Sequence, residues 1–130
     1  MFENLEVLRM AGAMAAHAGR RNAVVARNIA HADTPGYAAR DLAPFAQSYA
    51  DTGRDIAMRV TRPGHLTPAG RPAAAHDTAS VAAESVATPN GNSVALEREM
   101  LRAAEVRHQH DLALSIYRSA TTILRTSLGR

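Results

Sequence analysis

The chain has 130 residues, of which 46% are hydrophobic and only 4% aromatic, and its formal net charge is +3. This length suits one domain, but much of the apolar fraction is alanine, so an isolated core would bury little area per residue. The composition fits either a small helical bundle or a chain that completes its core against neighbouring subunits. Because the chain contains no cysteine, disulfides, thiolate metal sites and thiol nucleophiles are excluded.

The first element is a predicted helix over residues 3–31, which contains no proline. Its small and apolar positions alternate in steps of three and four, which is the heptad pattern of helices that wrap on each other. These positions are Leu8, Ala11, Ala15, Ala18, Asn22, Val25, Ile29 and Ala32. We expect a coiled-coil seam in which Asn22 specifies register; the alternative is an amphipathic surface helix with its alanine face turned inward.

The beginning of this helix carries Glu3, Glu6 and Arg9, where a cleaved signal peptide would have a basic segment followed by an apolar one. We therefore expect no cleaved signal peptide. No apolar run approaches the ~20 residues that span a bilayer, so we also expect no membrane insertion.

The helix is predicted to stop at a tight turn, Thr34-Pro35-Gly36-Tyr37. Proline disfavours helix at the residue before it and presets φ for the second turn position. Glycine supplies the positive φ that the third position of a type II turn requires. The chain should therefore leave the helix near residue 32.

Residues 38–91 are a predicted irregular segment that holds five of the six prolines. Its sequences "DLAPFAQSYA" and "DIAMRVT" favour a helical turn and a short strand or hairpin. Compact domains seldom tolerate an irregular insert of this length. We therefore expect a loosely structured middle segment in a chain that is only partly ordered in isolation.

A second long helix is predicted from Asn92 or Ser93, either of which can cap its free amides, to about Ser127. Its apolar residues fall on two stripes, so both sides need covers. One stripe contains Val94, Leu101, His108, Leu112, Ile116, Ser119 and Ile123, and the other contains Leu96, Ala103, Val106, Leu114, Tyr117, Leu124 and Leu128. The first helix can cover only one of them.

The predicted fold is therefore mainly α, with the two long helices paired antiparallel as a coiled coil around a loose middle. The chain divides into residues 1–37, 38–91 and 92–130, which form one structural unit. We expect the helix pair within one subunit to be held by Leu8, Ala15, Val25, Ile29, Leu101, Leu112, Ile116 and Ile123. We expect contacts with neighbouring subunits to be made by Leu114, Tyr117 and Leu124.

Residues that could carry catalysis or bind a metal show no useful pattern. His108 and His110 are two positions apart, which on a helix directs them to different sides. No serine nucleophile motif, phosphate-binding glycine loop or zinc-protease motif is present. We expect no enzymatic activity, no cofactor and no metal site.

The stretch "NIAHADTPGYAARD" closely resembles the N-terminal signature of the bacterial flagellar axial proteins, a family of rod, hook and hook-associated subunits. The residues that match the signature are Asn28, Ile29, Ala30, Thr34, Pro35, Gly36 and Tyr37. A second motif before the final helix matches at Pro89, Asn90, Gly91, Asn92, Ser93, Val94, Leu96, Glu97 and Met100, and a shorter middle motif matches at Thr61, Pro63, His65 and Leu66. His31, Ala38 and Ala95 depart from the pattern, which leaves the turn unaffected.

This resemblance implies a structural subunit of the flagellar rod, and the second motif with the short chain favours the proximal rod. It implies export through the flagellar type III channel and polymerisation in the periplasm into a helical tube that transmits torque for motility. The implied partners are further copies of the chain, other rod proteins, the rod–export-gate adaptor and the membrane-embedded MS ring of the basal body.

Other functions fit the sequence less well. A sister rod protein shares the N-terminal signature. A basic helical nucleic-acid-binding or adaptor module would concentrate its arginines on one stripe, whereas here they are scattered. A hydrolase that opens peptidoglycan would need a poised pair of acids in a folded pocket, which the loose middle segment does not offer.

Overall fold

The computed structural model describes residues 2–52, 80–83 and 88–129. The chain separates into two compact units, one formed by Met1–Asp41 with Ala82–Arg130 and the other by Leu42–Val81. The predicted middle motif at residues 61–66 and the strand predicted over "DIAMRVT" lie outside the described residues. The three-part division at residues 37 and 91 stays a prediction.

The first unit contains the two long helices, α1 (Phe2–Ala30) and α3 (Leu96–Ser127). Short strands β1 (Arg40–Leu42) and β2 (Ser80–Ala82) pair into a two-stranded sheet. The second unit contains α2 (Phe45–Thr52), at the predicted helical turn, where the rings of Phe45 and Tyr49 are 5.3 Å apart.

The mainly helical prediction is confirmed, and α1 and α3 pack against each other along their lengths. Side chains near the end of α1 contact those at the beginning of α3, so the two helices run antiparallel. With 29 and 32 residues, they are about 44 and 48 Å long. The pair is therefore long enough for four heptads of contact.

The interface of the pair is built on two lines of buried residues spaced seven apart. On α1 these are Ala11, Ala18 and Val25, and on α3 they are Glu99, Val106, Ala113 and Ala120. A seven-residue repeat keeps the same side of each helix against its partner. Four of these seven residues are alanine and two are valine, and such small side chains let the two backbones approach closely but bury little apolar area.

Several predicted pairing residues do not lie in this interface. Leu101, Leu112 and Ile123 are 72%, 45% and 55% exposed, so their assignment to the helix pair within one chain is wrong. Large apolar side chains were expected inside because they bury the most area, but a close contact through alanine leaves them no room. Val25 is buried as expected, while the flanking positions Leu8, Ala15, Ile29 and Ile116 are half-buried.

Two other expectations also need correction. Asn22 is exposed and not in the seam. On the other flank of Ala18 and Val25, Arg21 is half-buried and Asn28 is buried, so that flank is the one turned toward α3. Helix α3 begins at Leu96 and its N-cap is Ala95, which makes no side-chain cap bond. Asn92 and Ser93 do not cap α3, because their polar groups are used in contacts with the end of α1 and the turn that follows it.

Candidate functional site

The site lies where the two matched motifs meet, at the end of α1 and before the start of α3. The end of α1 leads into the predicted turn, in which the Tyr37 N–H donates to the Thr34 carbonyl at 3.3 Å. Gly36 has φ of +71°, which is the left-handed value that a type II turn needs at this position. The His31 and Tyr37 rings stack across the turn with their centroids 4.6 Å apart.

The second motif approaches this turn through its own glycine. Gly91 has φ of +78°, and a Cβ placed on it would lie 3.4 Å from the Gly36 Cα. The Gly36 N–H donates to the Asn90 carbonyl at 3.1 Å. A Cβ at Gly91 would only reach van der Waals contact with Gly36, but the left-handed φ of Gly91 would strain any other residue, so glycine suits this close approach of the two motif backbones.

Asn92 closes the end of α1. Its side chain is buried, and its Nδ2 lies within hydrogen-bonding distance of three carbonyls, those of His31, Ala32 and Thr34, at 3.0, 2.7 and 2.9 Å. Because an amide carries two hydrogens, the three carbonyls share them. The Asn92 Oδ1 accepts from the Val94 N–H at 2.7 Å. One side chain thus donates to carbonyls at the end of α1 and in the turn, including that of Thr34, which also accepts from the Tyr37 N–H.

Asn28 joins α1 to the segment after the turn and to α3. This fully buried side chain accepts at Oδ1 from the Arg40 N–H at 3.2 Å and from the Tyr37 hydroxyl at 3.4 Å. Its Nδ2 donates to the Arg40 carbonyl at 2.6 Å and to the Glu99 Oε2 at 3.0 Å. Both donors and both acceptor positions of the amide are therefore used, so only an amide of this size fits.

A charged cluster surrounds the Asn28–Glu99 contact. The buried Glu99 accepts from Arg102 at 2.5 Å, and Asp41 accepts a bidentate pair from Arg21 at 2.8 and 2.9 Å. The Arg102 Nε lies 3.9 Å from Asp41 and joins the two pairs. The hydrogen bond to Asp41 raises the pKa of Arg21, and partial burial opposes that rise. The charges of two carboxylates and two guanidinium groups therefore compensate each other near the beginning of α3.

Backbone bonds complete the junction between the motifs. The Ser93 N–H donates to the Tyr37 carbonyl at 3.0 Å, and the Ser93 hydroxyl accepts from the Ala39 N–H at 2.8 Å. The single proton of the Thr88 hydroxyl is shared between two acceptors, the Asn90 Oδ1 and the Asn92 carbonyl, the latter at 2.7 Å. The junction is therefore polar, and hydrogen bonds at several points hold the two motifs together.

The structure brings together part of each predicted motif. From the first motif, Asn28, Thr34, Gly36 and Tyr37 make the contacts, whereas Ala30 and Pro35 are exposed and Ile29 is half-buried. From the second, the contacts come from Asn90, Gly91, Asn92 and Ser93. Val94 is buried nearby, and the exposed residues of this motif are Pro89, Leu96, Glu97 and Met100.

Four charged residues of the junction were not predicted as a group. Glu99 lies in the first turn of α3, where an acid suits the helix dipole whether or not it is buried. Its position seven residues before Val106, on the buried line, is the signal that could have revealed its burial. No local sequence pattern indicates that Arg21, Asp41 and Arg102 lie close together. Their proximity depends on the position of β1, which carries Asp41.

Residues 2–52, 80–83 and 88–129 hold no group of three or more His, Asp or Glu side chains placed to bind a metal ion. Over the same part of the chain, none of the helices combines the length and apolar character of a bilayer span.

Both helices also present outward faces that nothing in the described part of the chain covers. The outward face of α1 consists of exposed small residues at helical spacing, namely Gly12, Ala16, Gly19, Ala23, Ala26 and Ala30. On α3, Tyr117 is 47% exposed, Leu128 is also exposed, and Leu114 and Leu124 are half-buried. The predicted role of the residues Leu114, Tyr117 and Leu124 in subunit contact stays a prediction.

A scan against protein-family models found no match for the chain. Among curated proteins, it is 33% identical over 128 residues to the flagellar basal body rod protein FlgB of Agrobacterium fabrum, covering 97% of this chain and 95% of that protein. It is 36% identical over 104 residues to FlgB of Escherichia coli K12, covering 74% of this chain and 73% of that protein. The similarity to the first relative spans both long helices and both motifs of the junction, and the chain therefore belongs to the FlgB family of flagellar basal-body rod proteins.

Proposed function

We propose that the chain is a structural subunit that polymerises through its two long helices into the tube of the flagellar rod. The observation that carries the proposal is the placement of apolar surface on the helix pair. Alanine fills the interior of the pair, while several large apolar side chains of α3 stand outside it. Exposing apolar surface to water is unfavourable in free energy. Burying it against neighbouring helices would supply the apolar core that one chain lacks.

The outward face of α1 supports the same role. Its run of glycine and alanine allows a helix of a neighbouring subunit to approach as closely as α3 does on the inner side. A pair with contact surfaces on several sides suits a tube in which each subunit has several neighbours. A stiff tube of this kind would transmit torque, which is a structural function and needs no catalytic group.

The wider setting follows from the family. We propose export through the flagellum's type III channel, without a cleaved signal peptide, and assembly in the periplasm. The partners are then other rod proteins, the rod–export-gate adaptor and the MS ring. No observation on the described residues favours the nucleic-acid-binding alternative, and the family assignment supports a proximal rod subunit over a sister rod protein.

The test is the substitution Tyr117→Asp, made in a strain that carries no other copy of the gene. Burying the new carboxylate against a neighbouring helix is unfavourable, so we expect basal bodies and motility to be lost while the purified variant keeps its helix content by circular dichroism. Ser119→Asp, on the other flank of α3, controls for the added charge. Normal recovery of basal bodies with Tyr117→Asp would show that this residue does not face a neighbouring subunit.

A further inference from the structure

The outward side of α3 carries a line of five exposed residues spaced seven apart, of which the first four lie two positions before the four members of the buried line. This outer line consists of Glu97, Ala104, Asp111, Arg118 and Arg125. Because residues two apart on a helix point in nearly opposite directions, the outer line faces away from α1. It is the part of α3 that a neighbouring molecule would meet first.

The charge of the outer line changes sign halfway along the helix. Its charged members are acidic up to Asp111, and they are arginines after it. Residues 112–130 contain no acidic residue at all. The helix dipole accounts for an arginine in the last turn, at Arg125, but Arg118 lies too far from that end to benefit.

Neither arginine has a partner on its own helix. The positions three and four residues away from Arg118 are Leu114, Ser115, Thr121 and Thr122, and those around Arg125 are equally uncharged. In the described ranges no ion pair involves either arginine. Two arginines whose positions lie about 10 Å apart along the helix axis are thus available to carboxylates of another molecule.

The polar side chains around these arginines can be buried without losing hydrogen bonds. The hydroxyls of Ser115, Thr121, Thr122 and Thr126 donate to backbone carbonyls of α3 itself, at 2.8 to 3.0 Å. Covering them therefore leaves no hydroxyl proton without an acceptor. Exposed apolar side chains at Leu112, Tyr117, Ile123 and Leu128 lie around the same half of the helix.

We propose that the basic half of the outer line, Arg118 and Arg125, docks against the acidic half of the outer line, Glu97 to Asp111, in a second copy of this chain. Charge complementarity selects this occupant, because the same helix carries both signs at the same heptad position. With the two helices parallel and displaced by the 21 residues from Glu97 to Arg118, about 30 Å, Arg118 lies opposite Glu97, and Arg125 lies opposite Ala104, between the two acids. A head-to-tail contact between different surfaces repeats without closing and builds a helical assembly.

An anionic membrane is the other surface that a basic, apolar helix could bind. Such binding needs one apolar face opposite a polar one. Here the exposed apolar residues lie on both flanks of the buried line: Leu112 and Tyr117 are separated by five positions, which places them on opposite sides of Ala113. The arrangement favours several helical neighbours.

This inference rests on the proposed assembly, and its test uses the absence of cysteine from the chain. One chain carries Ala104→Cys, in the acidic half, and the other carries Thr122→Cys, in the basic half. Mixed and oxidised, they should form the A104C–T122C cross-link in severalfold excess over either homodimer. Cross-linking traps even weak contacts, so absence of this excess overturns the proposal.

Charge exchange supplies the matched control. Adding Arg118→Glu and Arg125→Glu to the Thr122→Cys chain should lower the cross-link yield severalfold. Adding Glu97→Arg and Asp111→Arg to the Ala104→Cys chain should then restore it, with helix content unchanged in all variants. The proposed contact would be overturned if the cross-link yield did not change with these charges. It would also be overturned if the protein bound phosphatidylglycerol vesicles but formed no mixed cross-links. The Tyr117→Asp experiment tests rod assembly separately, so each proposal can fail alone.

Discussion

The substitution Asn28→Asp tests the junction most directly, because it changes one group and keeps the shape. The new oxygen would replace the Nδ2 that donates to the Arg40 carbonyl at 2.6 Å and to Glu99 at 3.0 Å. Two hydrogen bonds would become two repulsive contacts, one of them between carboxylates in a buried site. Losing the bonds costs about 1–3 kcal/mol, and a buried uncompensated charge costs about 3–5 kcal/mol.

We expect the free energy of unfolding at neutral pH to fall by about 3–5 kcal/mol, measured by urea titration followed by circular dichroism. The sign of the pH dependence follows from the two neighbouring carboxyls. Their repulsion raises a pKa in the folded variant, so the folded state takes up a proton more readily than the unfolded state. The deficit relative to the wild type should therefore shrink as the pH falls.

Asn22→Asp is the matched control, since Asn22 lies on the same helix and is exposed. This change should shift stability by no more than about 0.5 kcal/mol. If the two variants lose the same stability, or if the Asn28→Asp deficit does not depend on pH, the described contact between Asn28 and Glu99 does not hold the junction.

Two further predictions concern the cap and the alanine seam. Asn92→Ala removes the donor to three carbonyls at the end of α1 and should lower the unfolding free energy by about 2–4 kcal/mol in the same titration; a loss below about 1 kcal/mol would contradict the capping role. Ala18→Leu overfills the buried line and should cost about 1–3 kcal/mol, whereas Ala16→Leu on the exposed face should leave the monomer within about 0.5 kcal/mol. Equal thermal shifts in these two variants would show that the buried line is misplaced.

The long helices were predictable because composition and periodicity act locally. Alanine-rich, proline-free sequence favours helix, and the turn at Pro35 and Gly36 ends α1 by steric rules that need no tertiary contact. The seven-residue repeat at Ala11, Ala18 and Val25 was likewise visible. These features depend on residues within a few positions of each other.

The interface on α3 was not predictable by the same reasoning. Hydrophobic size favoured Leu101 and Leu112 as core residues, but Glu99 and Ala113 occupy the buried line. Which stripe faces inward is decided where the helices join, and there Asn28 holds Glu99. That contact joins residues 71 positions apart, and no local pattern encodes it.

This dependence suggests what the polar junction contributes to the pair. Apart from Glu99, both buried lines consist of alanine and valine repeated every seven residues, so sliding α1 along α3 by one heptad would again bring small apolar side chains together. The same slide would move Asn28 about 10 Å from Glu99 and break the hydrogen bond between them. We infer that the junction, and not the seam, sets the register, which is the best-attested use of buried polar groups.

Spin labels can test this inference. Labels at the exposed positions Ala16 and Arg118 would give one distance in the wild type. In the Asn28→Asp variant, the register should no longer be unique, so the distance distribution should gain a second component displaced by about 10 Å along the helices. A variant that is destabilised but keeps a single distance would mean that alanine packing alone fixes the register, since the polar contact would then add stability without selecting an alignment.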